Sequence, residues 1–453
     1  MTRSVRVLVA VAVAALLARP AAAHAGSLAP SGGVETPLWL FLLTGGGVVG
    51  GSFLLTTLVT DRSLIRELND REVGLPARPL ALAGDLAGGA AVAVLALVVV
   101  GGFAGPLAPR TNVAVLVVWV GWWAGYTMST YLLGNTWPAL NPWRRLARPL
   151  GAVFPDRAYP DWDAWPSVAF LLVMVFFEVV SPLAEAPRLL SAVVLAYTLV
   201  TVAGAATVGV GEWFRHVDPV ARVFRYYGVV APVRRTRDGV GVSLPGGDVP
   251  DSQLVTGPAG VAFVVALLWS TTFDGLVTTP AWAALAGVLV GAGVPPLAVY
   301  AAAMVAGFLA FWAVYRRATR RVRATADSYV TAAEIARRFA PTLLPIAAGY
   351  HAAHFLGYFL SFLPQLGAVL ADPLSPPAVE LLPLPAWFNA FPVLLVVGGH
   401  ILAVWLAHAT AFELFAGRLQ PLRSQYPFIV VMVLYTMTSL YIITQPSGAP
   451  PYL

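Results

Sequence analysis

The chain contains no cysteine. That absence excludes disulfide frameworks, thiolate zinc sites, iron–sulfur clusters, covalently attached c-type haem and cysteine nucleophiles. Lysine is missing too, since all 28 basic residues are arginine, so there is no Walker A phosphate loop, Schiff-base lysine or lysine general base. Neither a GxSxG nor an HExxH motif occurs, which argues against two common hydrolase chemistries. Charge is scarce: 11% of residues are charged and 58% are hydrophobic, whereas a soluble domain carries charge on about a quarter of its positions. Mean hydropathy is +0.76. The longest interval between apolar runs, 212–256, is too short for an independent soluble domain.

What is present is a series of apolar runs. Residues 1–23 open with Arg3 and Arg6, continue through apolar Val7 to Ala18 and end in Ala21, Ala22 and Ala23, the pattern of a cleavable export signal. Ten apolar segments follow, near 37–60, 80–103, 112–134, 166–183, 189–210, 258–273, 296–315, 340–363, 388–410 and 427–445. Each approaches the roughly 20 residues needed to cross a bilayer. Backbone groups in lipid must find partners within their own segment, so the runs are expected to be helices. No alternating pattern of a membrane barrel occurs. The expected fold is all-α: a polytopic transmembrane bundle of about ten helices, one domain over 24–453, with the mature N-terminus and the C-terminus outside.

Arginine placement supports that topology. The connections after spans one, three, five, seven and nine hold four, four, six, seven and two arginines, while the external connections hold only Arg110 and Arg188. Every loop obeys the positive-inside rule. The net charge of +6 is thus sorted toward anionic lipid headgroups at the cytoplasmic face rather than toward nucleic acid. The expected location is a prokaryotic cytoplasmic (inner) membrane. The additional apolar piece 281–294 reads as an external interfacial or re-entrant segment, because counting it as a span would place the arginines at 316–323 outside. Residues 371–386 read as an external loop, and 320–338 as an arginine-studded surface helix or a plain connector. Span one, with Gly45, Gly46, Gly47, Gly50 and Gly51, reads either as a broken substrate helix or as a close-packing one.

Four of the six histidines, His351, His354, His400 and His408, fall in spans eight and nine. These helices run antiparallel, and a rise of about 1.5 Å per residue puts His351 and His400 at similar depth near the midplane. His354 is three residues beyond His351, on nearly the same face. Imidazoles in a membrane can hydrogen-bond neighbouring helices, line a proton or solute pathway, or ligate haem or a metal. Gly398 and Gly399, with Gly349 and Gly357, would make room for a porphyrin or for a close helix. Three acids extend the inventory: Asp85 in span two, Glu178 in span four and Asp274 near the outer end of span six. A relay from Glu178 or Asp274 through the histidines would suit proton-coupled transport. His24 becomes the first mature residue if cleavage follows Ala23, a copper-chelating position, and is lost if cleavage follows Ala25.

Two further segments carry aromatics and arginine together. In GNTWPALNPWRRLARP, from Gly134 to Pro149, Trp137 and Trp143 suit an interfacial aromatic belt. GEWFRHVDPVARVFRYYGVVAPVRR, from Gly211 to Arg235, reads as a surface-bound cytoplasmic helix. GNTWPALNPWR, STTFDG, GYHAAHFLGYFLS and RSQYPFIVVMVLYT resemble motifs of an uncharacterised prokaryotic family of multi-pass membrane proteins. That resemblance implies a membrane-embedded fold and no particular activity.

Three functions remain open. The leading expectation is a transporter or permease for a small solute or ion, with Glu178, Asp274, His351, His354, His400 and His408 along its pathway. The alternative is a redox or metal protein holding haem b or copper through His351 or His354 and His400, or copper through His24. The third is a membrane scaffold or assembly factor with structural histidines.

Overall fold

The structure, a computed structural model, describes residues 38–76, 81–151, 158–235, 239–250, 252–445 and 449–453. The export signal and His24 lie outside the described residues. The chain forms α1 (Leu38–Thr56), α2 (Arg62–Asp70), α3 (Ala81–Ala104), α4 (Val113–Leu133), α5 (Pro142–Gly151), α6 (Trp165–Val180), α7 (Pro187–Val208) and α8 (Pro219–Gly228). It continues with α9 (Pro258–Leu276), α10 (Pro280–Gly291), α11 (Pro296–Ala326), α12 (Ala332–Phe339), α13 (Leu344–Ala371), α14 (Phe391–Leu414) and α15 (Leu419–Thr444). Proline at the first turn opens many of them, where the missing N–H costs nothing.

Eight helices among the described residues are long and apolar enough to cross a membrane, and the chain is a multi-pass membrane protein. They are α3, α4, α7, α9, α11, α13 with its N-terminal extension, α14 and α15. The other two expected spans are shorter: the apolar part of α1 is Leu42–Thr56, and α6 is Trp165–Val180. The additional apolar piece is the short helix α10, held to α11 by Trp282 against Tyr300 at 5.1 Å. At about 1.5 Å per residue its 12 residues are too short to span.

The centre of the bundle is α9. Nearly all its side chains from Ala259 to Phe273 are buried, enclosed by α6, α11, α13 and α15. Around it α13 pairs with α14 and with α4, while α15 packs against α1, α11 and α14. Small residues let these helices meet closely. Gly45 and Gly46 of the unbroken α1 abut Leu440, Met437 and Val433 of α15, whereas Gly47 and Gly51 meet nothing within 4 Å, so two of the glycines of span one serve close packing and none breaks the helix. A Cβ on Gly349 would lie 2.5 Å from the Leu395 carbonyl oxygen and 3.2 Å from Gly399 Cα. The backbones of α13 and α14 therefore touch at these two glycines.

Three expectations need correction. The segment 320–338 is not one helix: Arg337 and Arg338 lie on α12, while Arg320, Arg321 and Arg323 belong to α11, which runs unbroken for 31 residues and ends at Asp327 in the left-handed conformation (φ 49°). No glycine or proline interrupts its last turns. The aromatic segment after α7 is interior, with Val220, Val223, Phe224, Tyr226 and Tyr227 of α8 buried against α4, α6 and α13. Trp137 and Trp143 are buried as well, packed with Trp122, Phe224 and Tyr197, so they belong to the protein core rather than to a lipid-facing belt.

A small antiparallel sheet, order β1–β3–β2, joins β1 (Glu72–Pro76) to β2 (Val233–Arg235) and β3 (Gly239–Ser243). Val242 pairs with both Val73 and Val233. It ties two arginine-bearing connections together at one end of the bundle.

Candidate functional site

The polar groups of the bundle centre converge where α9, α13, α14 and α15 meet. Near the C-terminus of α9, the Asp274 carboxylate lies 3.9 Å from His354 Nε2, both side chains about one-third exposed. Glu178 on α6, half-buried, is close enough to Asp274 to interact with it electrostatically. His354 also lies parallel to the Tyr350 ring one turn earlier, with centroids 6.4 Å apart. Gly275 permits this arrangement, because a Cβ there would collide with the Tyr350 hydroxyl and with Ile442.

Deeper in the bundle the acceptors and donors are hydroxyls and one imidazole. Tyr350 and Tyr435 are close enough to interact electrostatically. The Tyr435 hydroxyl donates to the Leu268 carbonyl (3.1 Å) and pairs with Thr272 Oγ1 (2.7 Å). The His400 ring stands 5.8 Å from the Tyr435 ring. His400 Nδ1 donates to the Val396 carbonyl at 2.8 Å, a bond that fixes the tautomer and leaves Nε2 as an acceptor. His400 is fully buried, and its Nε2 and the Tyr350 hydroxyl have no hydrogen-bond partner. Orphaned polar atoms in a membrane interior are costly, and Tyr435, which neighbours both residues, links them into the candidate site.

The other histidines do not join it. His351, 2% exposed, faces α4 and α8 instead. Its Nδ1 is 3.2 Å from the Tyr131 hydroxyl, and its ring is boxed by Trp123, Tyr227 and Phe355. Trp123 sits on an 11-residue π-helical stretch of α4, Leu116–Tyr126, whose wider turn changes which residues face α13. His408 is held at both nitrogens: Nε2 lies 2.8 Å from the Val59 carbonyl and Nδ1 3.2 Å from Gln425 Oε1. It bridges α14, α15 and the chain after α1.

Equal depth for His351 and His400 follows from the Gly349–Gly399 contact, but the rings face different neighbours. The same glycine contact fills the space where a porphyrin between these helices would have to lie. Among the described residues no three histidine, aspartate or glutamate side chains are grouped to hold a metal ion, so the triplet His351, His354 and His400 does not converge. Nothing is described of the Asp85 side chain. Tyr350, Tyr435 and Thr272 did not stand out in the sequence, although Tyr350 directly precedes His351 and Thr272 belongs to the STTFD run that includes Asp274. No family model, curated protein or solved structure matches the chain.

Proposed function

We propose that the protein is a proton-coupled transporter for a small solute or ion in a prokaryotic cytoplasmic membrane. In this reading all ten spans cross, both mature ends lie outside, and α10 dips into the outer leaflet. The arginine distribution supports that topology. It places Glu178, Asp274 and His354 toward the outer side, with Tyr350, Tyr435, Thr272 and His400 further in.

The observation that carries the reading is the pair of buried, unpartnered groups, Tyr350 hydroxyl and His400 Nε2, beside Tyr435. A purely structural cluster would gain by pairing them or replacing them with apolar groups. A pathway needs them open to a passing proton or solute. Glu178, Asp274 and His354 add ionisable groups at the entrance, which in a membrane mark an ion or proton route. The resemblance to an uncharacterised family of polytopic membrane proteins agrees with a membrane-embedded role.

The diverging histidines and the glycine contact give the haem or copper reading no comparable support. His408, held at both nitrogens, and His351, whose Nδ1 engages Tyr131 while its Nε2 is likewise unpartnered, act in this reading as structural side chains.

The direct test is electrical. Proteoliposomes on a solid-supported membrane are given concentration jumps of amino acids, sugars, carboxylates and divalent cations in turn. At least one class is expected to move charge, more strongly as the external pH falls, and Asp274→Asn is expected to abolish the current. Silence across the panel, or currents unchanged by Asp274→Asn, would count against transport through this site.

A further inference from the structure

A second polar site, partly open to its surroundings, lies well away from the first, on the arginine-rich side of the bundle. It is a cavity of about 300 Å³ between α8, the start of α9 and the chain before α6, lined by Asp163, Arg215, His216, Arg222, Arg225 and Tyr226. The sequence builds it locally. Asp218 caps the N-terminus of α8, accepting from the Ala221 amide at 2.6 Å. Arg222 and Arg225 then follow three residues apart on a short helix, while Arg215 and His216 come from the turn before it.

The charges in this cavity do not balance. Arg222 is 4% exposed. One of its terminal nitrogens donates to the Tyr226 hydroxyl at 3.0 Å and the other to the Arg215 carbonyl. Its guanidinium also stacks on Phe263 and Tyr226. Arg222 Nε and Arg225 Nε are both buried without a hydrogen-bond partner, as is His216 Nδ1. No carboxylate of a described residue comes within ion-pair distance of Arg215, Arg222 or Arg225; Asp163 and Glu212 lie instead 3.9 and 3.5 Å from His216. Burial first, and then neighbouring Arg222, push the Arg225 guanidinium down from its ordinary value. A buried guanidinium without a counter-ion is expensive to keep. The 19-residue helix α9 adds to the imbalance, since its N-terminal Gly260 lines the same cavity and its dipole favours negative charge there.

We propose that this cavity binds a phosphate group, either free orthophosphate or the phosphate of a lipid headgroup. Planar guanidinium forks match phosphate oxygens two at a time. Three arginines without an ion-pair partner among the described residues suit a doubly charged group better than a halide. The volume admits a phosphate group, and the open side leaves room for a substituent to extend out of the site. The site is separate from the Asp274–His400 cluster, so either proposal can fail alone.

The test uses the full-length protein, delipidated in a non-ionic detergent. Thermal unfolding is followed during titration with orthophosphate, and with chloride at matched ionic strength. In parallel, native mass spectrometry follows retention of phosphatidic acid. Arg215→Gln and Arg225→Gln are the main variants because neither side chain is fully buried; Arg222→Lys keeps the charge and removes the fork.

Free phosphate as the occupant is expected to give a saturable rise in Tm with orthophosphate and not with chloride, weakened by about tenfold in midpoint by each variant. A lipid occupant is expected to give retained phosphatidic acid that stabilises the wild type and is lost in Arg225→Gln. The proposal is overturned if neither ligand stabilises the protein, or if both variants respond as the wild type does.

Discussion

At the residue scale, Gly349 and Gly399 set how close two helices come, and their neighbour Gly398 does not. A methyl group on Gly349 would press into the Leu395 carbonyl, while one on Gly398 would meet nothing within 4 Å. Gly349→Ala is therefore expected to lower Tm clearly, by the few kcal/mol typical of overpacking, about 1–3. Gly398→Ala is expected to be neutral or to stabilise by up to about 1 kcal/mol. Thermal unfolding of the two variants in the same detergent separates the cases; equal effects would contradict the close crossing. The comparison also explains what histidine spacing alone could not convey. Rise per residue placed His351 and His400 at one depth, and the glycine contact agrees. Which way each ring points depends on helix rotation, which is decided by partners on α4 and α15 that are remote in sequence.

At the element scale, α8 is the main surprise. Ten residues carrying Arg222, Arg225 and five aromatic or valine positions read as a surface helix, because an isolated amphipathic helix with arginine lies at an interface. The polytopic bundle instead offers a protein-lined groove, where arginine stacks on aromatic rings rather than meeting lipid. Asp218 joins this helix to α7 through the Tyr197 hydroxyl, which donates to its carboxylate at 2.5 Å.

Burial pushes the Asp218 carboxyl up from 3.8 to about 6, despite hydrogen bonds that act the other way. The folded protein therefore holds this proton more tightly than the unfolded chain. The stabilisation is complete below the ordinary carboxylate range and is lost as pH rises through about 6. A shift of that size corresponds to about 2–3 kcal/mol. Asp218→Asn keeps the cap and removes the titration, so its Tm relative to wild type is expected to be higher at pH 7.5 than at pH 4.5. A difference that stays constant between the two pH values would remove Asp218 as the cause.

At the scale of the whole molecule, the apolar runs and the arginines were the legible part. Lipid demands about 20 apolar residues per crossing, a demand that depends on no tertiary contact. Runs such as those of α3, α7 and α14 therefore appear in place. The small sheet was not legible, because β3 is Gly239–Ser243, a glycine-rich strand paired with a three-residue neighbour, β2, and with β1, which is far away in sequence. The absence of cysteine makes the ten-span topology easy to test. Single cysteines at Glu185, Tyr329 and Ser375, all exposed, can be probed in intact cells with an impermeant maleimide. Labelling is expected at 185 and 375 and, before permeabilisation, not at 329. If α10 crossed the membrane, 329 would label and 375 would not.

The central claim is that His400, the deeper of the two imidazoles placed on the pathway, serves proton movement while His408 does not. Proton entry into proteoliposomes loaded with a pH-sensitive dye, driven by a potassium diffusion potential, addresses it most directly. Flux in Asp274→Asn and in His400→Gln is expected to fall by about tenfold or more, while His408→Gln, once shown to fold, keeps the wild-type rate. Undiminished flux in His400→Gln, or wild-type flux no faster than that of protein-free vesicles, would contradict the assignment.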